Sequence, residues 1–280
     1  MKRVKINLMT TSLGDSIGAV SQINRFQKIN NYNVACFISE KYVNLFKESY
    51  KNIKFNPLNF DFDEQKDLSF VFEKPLQKGF SDQLGIIDYK EERPRIYISE
   101  ANNSIPNKKY ITISIQSTHQ GRYWNNPKGW DSLIKYLKNK YGVRAICIDQ
   151  YESYGREKVF NRIPAKAINR CGMDLASCIN YIKHGLFHIG TSNGLSWLAH
   201  GCGKHVILIS NVTKKWCEFT QDVTRIYDES ICNGCLNEEP FDYDDWMWCP
   251  RKKNFECTRK ISFNTVKENI DRLAKDFKLL

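Results

Sequence analysis

The chain has 280 residues, and its 42 lysines and arginines against 31 aspartates and glutamates give a formal net charge of +11. Hydrophobic residues make up 41% of the chain, which is enough to bury a substantial core and excludes a largely disordered protein. The longest aliphatic runs, such as Val206–Ile209, fall far short of the roughly 20 apolar residues that cross a bilayer. Residues 1–7 are basic but lead into polar residues 10–12 and no apolar secretory stretch, so we expect a cytoplasmic protein without a membrane span.

The N-terminal third predicts a strand, a helix and a second strand. Residues 4–8 alternate apolar and polar side chains, as a strand with one buried face does. A turn over residues 12–16 leads into helical spacing over residues 17–26, and the apolar run 34–38 reads as a buried strand. Three prolines interrupt the irregular stretch that follows, and we expect a domain junction near residues 102–109.

From there the chain alternates strands and helices more clearly. In chain order we predict a strand at 111–115, a helix ending at Gly142, a strand at 145–148, a helix capped by Asp174 and ended by Gly185, a strand at 186–189, a turn at 190–194, a helix from Leu195 and a strand at 205–209. Such alternation is typical of a parallel sheet covered by helices on both faces. The fold class is therefore α/β, with two Rossmann-like lobes facing a cleft.

Four of the ten cysteines are spaced as metal ligands. They are Cys232, Cys235, Cys249 and Cys257. Four thiolates fill a tetrahedral shell and suit a structural zinc or iron ion, and the spacing does not distinguish the two metals. The other six cysteines lie mostly within apolar runs and are expected to fill the core.

A carboxylate follows the first predicted strand, at the sheet edge where open α/β folds bind ligands. This residue is Asp15. It could cap the following helix, because an aspartate accepts hydrogen bonds from free amides, or it could act as a general base. Position alone leaves both roles open.

Two polar loops in the second lobe are suited to phosphate binding. The loop after the strand at 111–115 supplies hydroxyls and one cation, and the turn at 190–194 precedes a helix whose free amides would hold an anion. The candidate donor-binding residues are Ser117, Thr118, Arg122, Thr191, Ser192, Asn193, Gly194 and Leu195.

Three short stretches carry a resemblance to a known family: Ser-Leu-Gly-Asp-Ser-Ile-Gly at 12–18, Arg-Tyr-Trp at 122–124 and Asn-Gly-Leu-Ser-Trp-Leu-Ala at 193–199. They resemble the ADP-heptose-dependent heptosyltransferases of GT-B fold. With the four-cysteine segment added, the chain is most similar to the bacterial autotransporter heptosyltransferases, which modify protein hydroxyls and carry an iron-binding finger.

The resemblance implies an inverting transfer of heptose from ADP-heptose to serine hydroxyls of a bacterial protein such as an autotransporter, by a homo-oligomeric enzyme. Asp15 corresponds to the general base, and Gly194 with Leu195 to the phosphate-binding turn. Arg122 stands where lipopolysaccharide heptosyltransferases have a lysine, while Ser192 and Trp197 replace their Asp and His. A fixed guanidinium and helix amides would stabilise the leaving ADP without a catalytic divalent metal.

With this resemblance the chain divides into four parts. Residues 1–107 would form the acceptor-side lobe and 108–230 the nucleotide-sugar-binding lobe, followed by a metal finger at 231–260 and a C-terminal helix at 261–280. Iron is the expected metal, with zinc second. Two other functions stay open: a lipopolysaccharide or capsule heptosyltransferase, and a metal-knuckle protein that binds nucleic acid, although the acidic residues between the cysteines would repel phosphates.

Overall fold

The computed structural model describes residues 1–98, 104–156 and 159–279. The strands are β1 (Arg3–Leu8), β2 (Asn33–Phe37), β3 (Ile53–Phe55), β4 (Glu64–Leu68), β5 (Tyr110–Ser114), β6 (Arg144–Cys147), β7 (Ser153–Arg156), β8 (Val159–Arg162), β9 (Ile168–Asn169), β10 (His188–Gly190), β11 (Val206–Ile209) and β12 (Val223–Ile226). The helices are α1 (Leu13–Asn30), α2 (Val43–Lys47), α3 (Leu76–Leu84), α4 (Gly129–Tyr141), α5 (Leu175–His184), α6 (Gly194–Gly201), α7 (Cys235–Glu238), α8 (Glu256–Arg259) and α9 (Phe263–Arg272).

The first sheet has four parallel strands in the order β3-β2-β1-β4. The alternation predicted for residues 4–8 is confirmed, since Val4, Ile6 and Leu8 are buried against α1 and its neighbours. Strands β3 and β4 and helix α3 lie in the stretch predicted to be irregular. Strand β4 has the sequence Glu-Gln-Lys-Asp-Leu and forms an edge of the sheet, so it lacks the apolar alternation that marks a half-buried strand.

The second sheet has six parallel strands in the order β12-β11-β10-β5-β6-β9. The predicted strands β5, β6, β10 and β11 form its centre, and the short strands β9 and β12 at its edges were not predicted. Strand β10 lies between β5 and β11, so the loops that follow these three strands emerge side by side.

Helix α1 begins earlier than predicted. The residues assigned to a turn at 12–16 include the first turn of the helix, which starts at Leu13 and follows the N-cap Ser12. The C-terminal helix ends at Arg272, although Phe277 beyond it still packs on Phe187 of the second sheet. The antiparallel pair β7–β8 was not predicted, and part of the expected domain junction, residues 102 and 103, lies outside the described residues.

The two sheets meet where α1 and α6 pack against each other. A Cβ at position 194 would lie 2.8 Å from Leu13 Cβ and 3.1 Å from the Gly14 amide nitrogen, so only glycine allows this approach. The indole of Trp197 also lies close to Gly14 and Gly18. Among the helices of the described residues, none is both long and apolar enough to cross a membrane.

Candidate active site

An open cavity lies between the N-terminal ends of α1 and α6. Its walls come from both sheets and from the cysteine-rich segment. They are formed by Ser12, Gly14, Asp15, Phe70, Leu76, Arg122, Ser192, Asn193, Gly194, Trp197, Thr213, Cys217, Glu218 and Leu236. Five candidate residues predicted from the sequence meet here: Asp15, Arg122, Ser192, Asn193 and Gly194.

Asp15 is the third residue of α1 and does not cap it, because Ser12 occupies the N-cap position. The Thr10 hydroxyl donates a hydrogen bond of 3.0 Å to Asp15 Oδ2. Burial raises the pKa of Asp15 above its usual value, and the positive charge of Arg122 and the Thr10 hydroxyl oppose that rise. A half-buried carboxylate with a raised pKa at the mouth of a cavity is suited to accept a proton.

Arg122 ends a short 3₁₀ helix, Gln120–Arg122, in the loop after β5. The loop is held in place by His119, whose Nδ1 accepts a hydrogen bond from the Gly121 amide at 3.1 Å and whose Nε2 contacts the Trp248 carbonyl oxygen at 2.9 Å. The Nε atom of Arg122 is buried and has no hydrogen-bond partner in the described chain. A cation that faces a cavity and has an unpaired hydrogen-bond donor is suited to bind an anion.

The turn at 190–194 brings the start of α6 to the cavity. A Cβ at position 190 would lie 2.2 Å from Ser196 Oγ and 2.7 Å from Ser114 Oγ, so glycine is required here. Asn193 caps α6 by accepting a hydrogen bond from the Ser196 amide, and its Nδ2 donates to the Gln116 carbonyl at 2.9 Å. Asn193 therefore links the two loops predicted to bind phosphate.

The remaining candidate residues do not line the cavity. Thr191 is fully buried and accepts a hydrogen bond from Asn193, while Leu195 is partly buried and packs against the core. Ser117 and Thr118 lie more exposed in the loop after β5, where the Ser117 carbonyl accepts a hydrogen bond from Tyr123. Their proposed contacts with a donor stay predictions.

Sequence reasoning missed a buried polar cluster in the wall of the cavity. Glu218 accepts hydrogen bonds from the hydroxyls of Ser192 and Thr213 and forms an ion pair with Arg225. Arg225 also donates to Thr213 Oγ1 at 2.6 Å. The one available signal was position, because Thr213 and Glu218 follow β11, which lies beside β10 in the sheet.

The cysteine-rich segment touches both lobes near the cavity. The Asn237 side chain donates a hydrogen bond of 2.6 Å to the carbonyl oxygen of Phe72, which follows β4. Phe241 packs against Phe72 and also against His119, with the Phe241 and His119 ring centroids 5.2 Å apart. Tyr243 is exposed beside these rings, and the charges of Asp15 and Arg122 act on its hydroxyl.

The four candidate metal ligands lie near one another. Cys232, Cys235 and Cys257 are buried in one cluster with Leu236 and Trp248, and the Phe255 amide donates to Cys249 Sγ at 3.5 Å. Burial raises the pKa of Cys235 to about 12, and the neighbouring thiols Cys232 and Cys249 add to the rise. In the part of the chain that the structure describes, however, no group of three or more cysteine, histidine or acidic side chains is arranged to hold a metal ion.

Comparison with known proteins shows relatives along nearly the whole chain. The autotransporter heptosyltransferase BAHTCr of Citrobacter rodentium is 34% identical over 96% of this chain and 70% of its own length. The autotransporter heptosyltransferase TibC of Escherichia coli O78:H11 is 33% identical over 97% of this chain and 71% of its own length. No family model matches the chain.

Solved structures of similar proteins also superpose on nearly the whole chain. The crystal structure of TibC from enterotoxigenic E. coli H10407, an iron-containing dodecameric glycosyltransferase, superposes with a TM-score of 0.91 and 30% identity over 99% of this chain and 77% of TibC. TibC has also been solved in complex with ADP-D-β-D-heptose. The E. coli ADP-heptose lipopolysaccharide heptosyltransferase II is only 9% identical but has a TM-score of 0.68 over 99% of this chain and 100% of its own, so it shares the fold.

Proposed function

We propose that this chain, which belongs to the autotransporter heptosyltransferase family, transfers heptose from ADP-heptose to serine hydroxyls of an autotransporter protein. The observation that carries the proposal is the placement of Asp15 and Arg122 in the wall of one cavity, at the N-terminal end of α6. A proton acceptor and an anion-binding group are the two functions that such a transfer requires.

In the proposed reaction, the Asp15 carboxylate takes the proton of the acceptor hydroxyl as its oxygen attacks the anomeric carbon. The bond between that carbon and the diphosphate oxygen breaks, and ADP leaves with the electron pair. Attack opposite the leaving group inverts the configuration. Arg122 and the free amides at the start of α6 stabilise the negative charge that develops on the departing diphosphate.

The direct experiment incubates the purified protein with ADP-heptose and an autotransporter passenger domain. We expect ADP release that depends on the passenger, with a mass increase of one heptosyl residue on serine-containing peptides. Transfer to lipopolysaccharide core oligosaccharide and none to the passenger would instead support the second type of acceptor. Absence of transfer to either acceptor would contradict the proposal.

The acidic limb of the pH profile of kcat/KM is expected to report the deprotonation of Asp15. A general base must be deprotonated, so kcat/KM should rise with pH through a pKa above the ordinary value of 3.8. Thr10→Val removes the hydroxyl that stabilises the carboxylate, so we expect the limb to move to higher pH by about one unit with its plateau preserved. An unmoved limb would show that a different group titrates.

We further propose that Cys232, Cys235, Cys249 and Cys257 hold one iron ion. The chemistry of the donor set supports this proposal, because thiolates bind iron, three of the thiols share one cluster, and an amide already donates to Cys249 Sγ, as amides do to ligating thiolates. When bound, the metal would tie together the ends of the finger and supply no chemistry to the transfer, because four protein ligands leave no open position.

Metal analysis tests this site. Protein purified under reducing conditions should contain one iron per chain, with visible absorption from thiolate-to-iron charge transfer. Cys235→Ser should lose the iron and lower Tm by about 5 °C or more, because metal binding free energy adds to folding free energy. The Cys202→Ser variant should keep both the iron and the Tm, because Cys202 is a half-buried cysteine outside the cluster. A colourless protein with one zinc would correct the metal, and full iron in Cys235→Ser would refute the site.

The finger has less free positive charge than its sequence suggests. Arg251 forms ion pairs with Glu238 and Glu239, and Lys214 also pairs with Glu238. This pairing supports the transferase over a nucleic-acid-binding knuckle. We also propose the division into lobes at 1–107 and 108–230, a finger at 231–260 and a C-terminal segment at 261–280 that contains α9, in a cytoplasmic homo-oligomer.

A further inference from the structure

The cavity wall contains a hydroxyl whose hydrogen-bonding direction is fixed from behind. Ser192 Oγ contacts a carboxylate oxygen of Glu218, and Glu218 is in turn paired with Arg225. A hydroxyl has one proton and two lone pairs, whereas an ionised carboxylate can only accept. Ser192 must therefore donate its single proton to Glu218.

The consequence concerns what Ser192 can offer to a ligand. With its proton engaged, the hydroxyl oxygen presents only lone pairs to the cavity, and no other side chain of the described residues hydrogen-bonds to it. A diphosphate ester carries no proton at neutral pH and would meet a second acceptor here. A sugar hydroxyl can donate and is the matching partner.

Location favours the hydroxyls of the transferred sugar over those of the ribose. Ser192 lies two residues before Gly194. Gly194 packs closely against Leu13 and Gly14, the two residues directly before Asp15. The sugar that accepts the nucleophile must lie beside the general base. Ser192 and Asp15 both line the cavity, and this shared wall supports the transferred sugar as the partner of Ser192.

We infer that Ser192, oriented by Glu218, accepts a hydrogen bond from a hydroxyl of the transferred heptosyl group and contributes to recognition of the sugar. This inference rests on the proposed function, and it reassigns Ser192 from the phosphate to the sugar. Glu218 is a positioning residue that acts through Ser192. Thr213 and Arg225 hold the Glu218 carboxylate in place.

The test compares the dissociation constants of ADP-heptose and ADP by calorimetry. Ser192→Ala should raise the dissociation constant of ADP-heptose about tenfold and change that of ADP by less than about twofold, because only the sugar loses a hydrogen-bond partner. Ser132→Ala, the same truncation on α4 away from the cavity, should change neither. Equal weakening of both ligands would place Ser192 on the nucleotide and overturn the inference, as would no weakening of ADP-heptose.

Glu218→Gln tests the direction of the hydrogen bond. Arg225 can only donate, so the amide oxygen of Gln must face it, and the amide nitrogen then faces Ser192 and donates. Ser192 would then turn its own proton away from residue 218. We expect the dissociation constant of ADP-heptose to rise several-fold and that of ADP to stay unchanged. An unchanged preference for ADP-heptose over ADP would refute the role of Glu218. Wild-type protein that binds ADP but not ADP-heptose would instead contradict the proposed function itself.

Discussion

Asp15→Asn is expected to reduce heptose transfer by about 10² to 10⁴-fold while ADP affinity changes less than about twofold. The amide has nearly the shape of the carboxylate but cannot take a proton from the acceptor hydroxyl. The Thr10 hydroxyl can still donate to the remaining oxygen, so the loop after β1 should keep its structure. Single-turnover transfer assays together with calorimetry of ADP separate the chemical step from binding.

Asp131→Asn is the matched control for this variant. Asp131 is also an acidic residue in the first turn of a helix, but it is exposed on α4 and lies outside the cavity. Its replacement should leave turnover unchanged. If Asp15→Asn retained full activity, Asp15 would not be the base, and the raised pKa of its carboxyl would reflect burial alone.

Arg122→Met is expected to weaken ADP binding by about 10- to 100-fold, because each charge-assisted hydrogen bond contributes about 1.5–3 kcal/mol. Turnover should fall further than affinity, because negative charge on the diphosphate grows as the bond to the sugar breaks. Arg122→Lys should retain part of the affinity, since it keeps the charge but loses the planar set of donors. Calorimetry and steady-state kinetics measure the two effects.

Arg144→Met provides the comparison for a general loss of positive charge. Arg144 is exposed at the start of β6, at the end of that strand that points away from the cavity loops. It should bind ADP like the wild type. ADP affinity that survives in Arg122→Met would mean that the diphosphate is held by the amides of α6 without this side chain.

The central strands of both sheets could be predicted because their apolar patterns are local. Edge elements were missed: β4 is almost wholly polar, and β9 has two residues, too few for any pattern. The candidate site was found where a motif follows a strand, as at Asp15 and Arg122. Glu218 also follows a strand, β11, but carries no motif, and its contact with Ser192 spans 26 residues of sequence and depends on how two adjacent loops pack.

Side-chain direction was the other gap. From its position in the sequence, Ser192 was predicted to bind phosphate, but no local pattern shows in which direction a hydroxyl points its proton. Similarly, Thr191 was assigned to the donor site from its position in the turn, whereas its side chain is buried and accepts a hydrogen bond from Asn193. Such details follow from tertiary contacts, which residue type and spacing do not encode.

The contact between Gly194 and the start of α1 has a consequence for engineering. Because backbone meets backbone there, the separation between α1 and α6 does not depend on side-chain rotamers, and mutations elsewhere around the cavity should leave it intact. A library aimed at new acceptors should therefore keep positions 13, 14 and 194 constant. It should vary Tyr243, which is 68% exposed and lies close enough to Asp15 for the carboxylate charge to act on its hydroxyl.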